Sequence, residues 1–202
     1  DRINRFLGGF RALTHHLLPR LRRMDRPATL LDLGTGSARL PRIVTQWAQQ
    51  NQLSVQVLGL DAMHRHLRIA SASLNGTPDV TLLQGDVHHL PLAPDSVDYV
   101  FSTLVLHHFE PEQVVGILRR SSEVARCGVI MSDLTRGWLP WIGFRIAQPV
   151  FARHPITLHD GLASIRRAYT PDEMRDMAAA AGLHASQVHT HLPFRMTLVA
   201  DQ

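Results

Sequence analysis

Ten residues, Leu30-Leu31-Asp32-Leu33-Gly34-Thr35-Gly36-Ser37-Ala38-Arg39, constrain the fold of this chain more than any other stretch. An apolar run ends on an acidic residue and breaks into a glycine-bearing turn. Beyond it Leu40, Ile43, Val44 and Trp47 recur at helical spacing. That order is strand, turn, helix. Gly34 and Gly36 open the turn to dihedrals closed to other residues and let a ligand come close. The following helix directs its free N–H groups and positive dipole end back at the turn, which suits a carboxylate or a phosphate-bearing ligand equally. The dinucleotide fingerprint needs a third glycine where this chain has Arg39, and a bulky side chain there argues against a pyrophosphate.

The alternation continues. Strands are predicted at 28–33, 54–60, 80–83 and 97–103, with a fifth centred on 129–131 and ending at Asp133. Helices are predicted after the glycine turn to Asn51, at 63–74, from Pro111 to Arg126, and from Pro171 to a stop at Gly182. Two closing strands, near 184–190 and 194–200, meet at Leu192-Pro193, too short a join for a crossover, so they pair antiparallel. The expected fold is α/β: a three-layer, doubly wound, Rossmann-like sheet of five parallel strands with a C-terminal antiparallel hairpin.

Ile3, Phe6, Leu7, Phe10, Leu13, Leu17, Leu18 and Leu21 form one helical stripe, and residues 1–26 hold seven Arg and two Asp. Gly8-Gly9 is a point of kinking, and Pro19 is expected to end this helix or begin a second. Residues 1–26 read as a helical cover over the ligand mouth; the alternative is a basic amphipathic helix that makes peripheral contact with anionic lipid. Residues 27–202 form the main domain. The irregular stretch 134–170 is too long for an ordinary connection and is expected to be a substrate-site insertion.

At 202 residues the chain is long enough for one domain with a real core. All 21 basic residues are Arg, so lysine chemistry, a Schiff base or a phosphate-loop lysine, is excluded. The single Cys127 cannot form an internal disulfide, which suits a reducing, cytoplasmic compartment. No apolar run approaches the ~20 residues of a membrane span. No clustered basic face with interleaved aromatics suggests nucleic acid. The 13 His include the close pairs His15-His16, His64/His66, His88-His89 and His189/His191, but none completes a recognised ligand spacing, and no metal is expected.

Further blocks follow the turn in order. Asp61 ends strand two; Gly85-Asp86-Val87 follows strand three; a proline turn and Asp95-Ser96-Val97-Asp98 precede strand four; Phe101-Ser102-Thr103 ends it, before Leu104-Val105-Leu106-His107-His108-Phe109. With Asp32-x-Gly34-x-Gly36-x-Ala38, where a third glycine is common at the Ala38 position, these blocks resemble the class I S-adenosylmethionine-dependent methyltransferases over residues 28–133. The strand-four block is similar to the small-molecule branch that includes ubiquinone- and menaquinone-biosynthesis enzymes. The resemblance implies S-adenosyl-L-methionine as cofactor. Its amino-acid tail would lie on Asp32, Gly34, Thr35 and Gly36, and its ribose on Asp61 beside Ala62. Adenine would lie on Asp86 and Val87, and the methionine part also at Ser102 and Thr103. The alternative reading of Asp61 is a helix N-cap for the following helix, and the glycine turn favours the ribose.

Donor and acceptor would meet at the His pair. Adjacent residues diverge, so one faces the site; His108 is the candidate on the family pattern, as a base that changes charge near neutral pH. Asp133 is a second candidate, as base or as orienter of the His. Trp138, Trp141 and Phe144 lie in an apolar stretch suited to a hydrophobic ring, and Arg166-Arg167 and His159-Asp160 either hold a polar end of the acceptor or form surface pairs. The expected activity is methyl transfer to an oxygen or carbon of a small, hydrophobic, phenolic or quinone-like acceptor, by a monomer or homodimer. The alternatives are methylation of RNA or protein, although the Asn/Asp-Pro-Pro-aromatic tetrapeptide is lacking, and NAD-linked oxidoreduction.

Overall fold

Neighbouring residues of a strand point to opposite faces of its sheet, and that parity builds the architecture. The structure, a computed structural model, describes residues 9–137, 164–192 and 194–202. Helix α1 (Gly9–Arg22) is followed by β1 (Ala28–Leu33), α2 (Arg39–Gln50), β2 (Val55–Asp61), α3 (His64–Leu74), β3 (Val80–Gln84) and β4 (Val97–Thr103). A 3-10 turn (Leu106–His108) leads into α4 (Pro111–Val124), β5 (Ala125–Leu134), α5 (Pro171–Ala180) and the hairpin of β6 (Gln187–His191) and β7 (Arg195–Asp201). The sheet order is β3-β2-β1-β4-β5-β7-β6. Strands β1 to β5 pair in parallel, and β7 lies antiparallel between β5 and β6. This is the doubly wound sheet with a closing hairpin that the sequence predicts.

Leu30, Phe101 and Ile130 face one layer, with Leu13, Leu17 and Leu21 of α1 and Val44 of α2. Leu31, Val100 and Met131 face the other, with Ile117 and Leu118 of α4 and Met174 of α5. The three α1 leucines are at most 2% exposed. At roughly 1.5–3 kcal/mol for each buried leucine, they hold α1 firmly to the sheet. That part of the apolar stripe is therefore taken up by β4, β5 and β7 rather than offered to a lipid surface. The N-terminal end of α1 does reach the glycine turn, where the Arg39 guanidinium lies 5.3 Å from the Phe10 ring centroid.

Pro19 does not divide the helix as expected; it lies inside α1. Its ring disturbs the backbone ladder on its N-terminal side, and the Arg20 guanidinium donates to the His16 carbonyl there at 2.8 Å. Helices α4 and α5 start alike. Each has proline in the first turn and a capping box, Glu110 with Gln113 and Thr170 with Glu173. Helix α4 ends at Val124, short of Arg126, because Ala125 is already extended and opens β5.

At the amino ends of the strands, Asp98 is fully buried and accepts from Arg26 (2.5 and 3.1 Å), Arg126 (2.9 Å) and the Thr29 N–H (2.8 Å). This network clamps the sheet at the end remote from the ligand crevice. Of the expected insertion 134–170, residues 138–163 lie outside the described residues, and with them Trp138, Trp141, Phe144 and His159-Asp160. Among the described residues no helix is long and apolar enough to cross a membrane.

Candidate active site

β1 has β2 on one side and β4 on the other, so the strand order reverses there and a crevice opens at the carboxyl ends. The glycine turn occupies it. Gly34, Gly36 and Ala38 all take left-handed dihedrals, with φ of 66°, 57° and 53°. The turn is tied to the end of β2: the Thr35 N–H donates to the Leu60 carbonyl (2.9 Å) and the Gly36 N–H to Asp61 Oδ2 (2.9 Å). Asp61 also accepts from the Met63 N–H (2.8 Å) and lies 3.2 Å from His66 Nδ1. It thus ties the glycine turn to the segment leading into α3 with the same carboxylate, while α3 itself has Met63 as N-cap without a side-chain cap bond.

The two glycines serve different ends. A Cβ on Gly34 would stand 2.6 Å from Val105 Cγ2, so this glycine admits the segment after β4. Among the described residues a Cβ on Gly36 would meet nothing nearer than the Gly34 carbonyl at 4.0 Å, so that face has room for a ligand. Asp32 and Thr35 support the turn from below. The Thr35 hydroxyl donates to Asp32 Oδ2 at 2.7 Å, and both residues are buried. Burial pushes the Asp32 carboxyl up to about 7; the Thr35 bond opposes the rise and the Asp61 charge adds to it.

At the third strand end Asp86 is exposed. It accepts from the His88 N–H (2.9 Å) and lies 3.3 Å from His89 Nδ1, and these contacts hold its carboxyl below the usual range. Val87 is buried beside it, while Ala62 is exposed after Asp61. At the end of β4 the parity rule splits the expected pair. Ser102 turns inward, its hydroxyl 3.1 Å from Met131 Sδ, so only its backbone can serve a ligand. The Thr103 hydroxyl faces the other way, buried and without a hydrogen-bond partner among the described residues. A buried hydroxyl left open at a strand end is a place for a polar ligand group. Gly36, Asp61 and Asp86 thus stand at the carboxyl ends of the neighbouring strands β1, β2 and β3.

Beyond β4, Leu104 takes a left-handed φ of 62° and starts the turn that carries the His pair. His107 is buried, with Nδ1 2.7 Å from Asp133 Oδ1. Asp133 also accepts from the N–H groups of His107 (3.1 Å) and Leu134 (2.7 Å). Surrounded by donors, Asp133 acts as acceptor. In this pairing Nδ1 of His107 is the ring nitrogen turned to the acid, and Nε2 is the one left to the cleft side. His108 is exposed, its ring centroid 4.1 Å from that of His107. Partial burial, then His107 and Arg167, hold its pKa below the ordinary value, against the pull of Asp133. A cleft of about 670 Å³ opens beside both rings, walled by Phe109, Tyr169, Arg166 and Arg167 among others.

Two features escaped the sequence reading. Asp133 holds His107, where the family pattern pointed to His108. Arg195, 1% exposed, is a buried cation whose pKa burial lowers to about 10 against the opposing field of Asp133. Its signal was present: a lone Arg begins the otherwise apolar run 195–200, broken only by Thr197, and such a cation needs a buried acid nearby. Elsewhere, two distant His pairs meet where α1 crosses β6, with His16 Nε2 3.2 Å from His191 Nε2. Among the described residues no group of three or more His, Cys, Asp or Glu side chains is arranged to hold a metal ion.

The doubly wound sheet with its closing hairpin is the fold of the S-adenosylmethionine-dependent methyltransferases. Residues 31–130, just under half of the chain, match the family model of a methyltransferase domain, and the chain is an enzyme that transfers methyl groups from S-adenosylmethionine. Solved structures share the fold. A SAM-dependent methyltransferase from Aquifex aeolicus aligns with a TM-score of 0.66 at 15% identity over 99% of this chain and 96% of that one. The magnesium protoporphyrin IX methyltransferase of Synechocystis, solved with bound SAH, aligns with a TM-score of 0.69 at 14% identity over 100% and 88%. Human N-acetylserotonin methyltransferase, solved with SAM, gives 0.69 at 15% over 97% of this chain but 52% of its own length. No curated protein matches the chain in sequence.

Proposed function

We propose that the chain methylates an oxygen or carbon of a small acceptor with a hydrophobic, phenolic or quinone-like ring, as in the small-molecule branch its strand-four block resembles. The buried His107–Asp133 pair, opening on the cleft, carries this reading. In this reading the tail of S-adenosylmethionine is held by the open face of Gly36 and the Thr103 hydroxyl, its ribose by Asp61 beside Ala62, and its adenine by Asp86 and Val87. Asp32, Gly34 and Thr35 shape the turn beneath it, and Ser102 serves through its backbone. The cofactor supplies an electrophilic methyl group on a cationic sulfur.

The protein then has two tasks. The first is to align the acceptor; positioning of this kind contributes up to roughly 7–11 kcal/mol in favourable cases. The second is to take a proton from a phenol or an enolisable carbon. Asp133 fixes the His107 ring and its tautomer, presenting Nε2 as the base. His108 at the mouth, held neutral near pH 7, is the second acceptor within the same cleft.

The test is methylation of a panel of phenols and hydroxyquinones, with products identified by mass spectrometry. His107→Gln is expected to lower kcat by about 10²–10⁴-fold while leaving S-adenosylhomocysteine affinity unchanged, and His108→Gln by less. Full activity of His107→Gln, or methylation of RNA in place of every small acceptor, overturns the proposal.

A further inference from the structure

Arg166 and Arg167 sit on a helical turn, 164–167, that is firmly anchored. Ile165 is 5% exposed and Ala168 0%. The Tyr169 hydroxyl donates to the Phe109 carbonyl at 2.6 Å, and the Arg136 N–H to the Tyr169 carbonyl at 2.9 Å. Both residues line the cleft beside His107 and His108. The charge of Arg167 is felt at His108, which places it on the His side of the cleft.

Many arginines of this protein are matched by an acid: Arg20 by Asp201, Arg26 and Arg126 by Asp98, Arg120 by Glu123, Arg136 by Glu173 and Arg175 by Asp172. Arg166 and Arg167 have no carboxylate partner among the described residues. The acids around them are mostly committed. Glu173 serves Arg136 and the Thr170 N–H, and Glu110 caps α4. Asp176 remains, one charge against two.

Two adjacent arginines without a carboxylate partner among the described residues, on an anchored turn that walls the cleft, suit a carboxylate or phosphate, which a guanidinium binds through paired hydrogen bonds. A cleft of about 670 Å³ is sized for a small molecule. We infer that the methyl acceptor carries an acidic group, carboxylate or phosphate, which Arg166 and Arg167 hold while its nucleophilic atom lies at the His pair. The inference rests on the methyl-transfer reading and narrows the acceptor to an acidic ring compound.

The probes are benzoate, phenyl phosphate and, as neutral control, benzamide, titrated into the full chain saturated with S-adenosylhomocysteine. The readout is the arginine Nε–H NMR signals, assigned with Arg166→Gln and Arg167→Gln. Saturable millimolar shifts of both signals are expected with an anion and not with benzamide. The double variant is expected to weaken anion binding at least about tenfold with S-adenosylhomocysteine affinity unchanged. Response to benzoate alone assigns a carboxylate, and response to phenyl phosphate alone a phosphate. An equal response to benzamide, undiminished anion binding by the double variant, or no response to either anion overturns the inference. Calorimetry with S-adenosylhomocysteine on the same samples separates the failures. A chain that binds anions but not that ligand loses the methyl-transfer reading, and one that binds the ligand but not anions loses only the acidic acceptor.

Discussion

Gly34→Ala separates the packing role of the glycine turn from its ligand role. The added Cβ would lie 2.6 Å from Val105 Cγ2 and 3.5 Å from Cγ1, at a backbone φ of +66°. A left-handed L-residue costs roughly 1–2 kcal/mol, and displacing Val105 about 1–3 kcal/mol. The stiffer unfolded chain returns roughly 0.4–1 kcal/mol. The expected loss is therefore about 1–5 kcal/mol. Val105→Ala alone removes two buried methyl groups, roughly 1.5 kcal/mol before any cavity is counted. In the double variant the nearest remaining atom is Val105 Cβ at 3.7 Å, an ordinary contact. The clash vanishes and the backbone strain stays. The double variant is thus expected to be more stable than the summed single losses by about 1–3 kcal/mol. Urea unfolding followed by tryptophan fluorescence measures this, provided the m-value holds constant. Losses that add to within about 0.5 kcal/mol would refute the reasoning, because Val105 would then not be what excludes a side chain at 34.

Three further outcomes are expected. For the buried acid Asp32, a rise from 3.8 to about 7 corresponds to about 4 kcal/mol at 1.36 kcal/mol per pH unit. The folded state holds this proton longer than the unfolded one, so stability falls as pH rises from about 4 to 7 and levels above. Asp32→Asn should gain on the native chain across that window in pH-stepped urea unfolding; parallel profiles would contradict it. His16 shows the opposite sign: burial, then His189, His191, His15 and Arg20, lower it from 6.5 to about 4. Its stabilisation is complete above 6.5 and lost as pH falls toward 4, by about 1 kcal/mol after discounting for solvent exposure. His16→Leu should flatten the acid side of the Tm profile, and an unchanged acid limb would exclude the His cluster as its cause. Asp61→Asn should weaken S-adenosylhomocysteine binding by about tenfold or more in calorimetry without loss of fold; unaltered affinity would remove Asp61 from the ribose site.

The parts of the site legible in the sequence were those set by chain position. An apolar run that ends in an acid marks the carboxyl end of a buried strand, so Asp32, Asp61 and Asp133 were found at once, and the glycine turn with them. The direction of each side chain was not legible, because it depends on which face of the sheet each helix takes. Asp32 and Thr35 turn under the loop, since left-handed residues at 34, 36 and 38 carry the backbone over them. Contacts between distant segments, such as His16 with His191, leave no local trace.

The His107–Asp133 pair lies between these cases, and parity explains why. Val129 and Met131 face the α4–α5 layer, so Asp133, two residues on, projects to that side. The chain leaving β4 must descend on the same side to enter α4, and it carries His107 past Asp133 as it does so. Right-handed crossovers, with the strand order, would assign α4 to a face. With that assignment, parity alone puts the strand-five acid beneath the first turn of the β4–α4 connection, where it meets the earlier His of the pair. His108, one residue further along the 3-10 turn, is carried outward toward the cleft, where Arg167 perturbs it. The same geometry therefore divides the two rings between one buried and held by the strand-five acid and one exposed at the cleft.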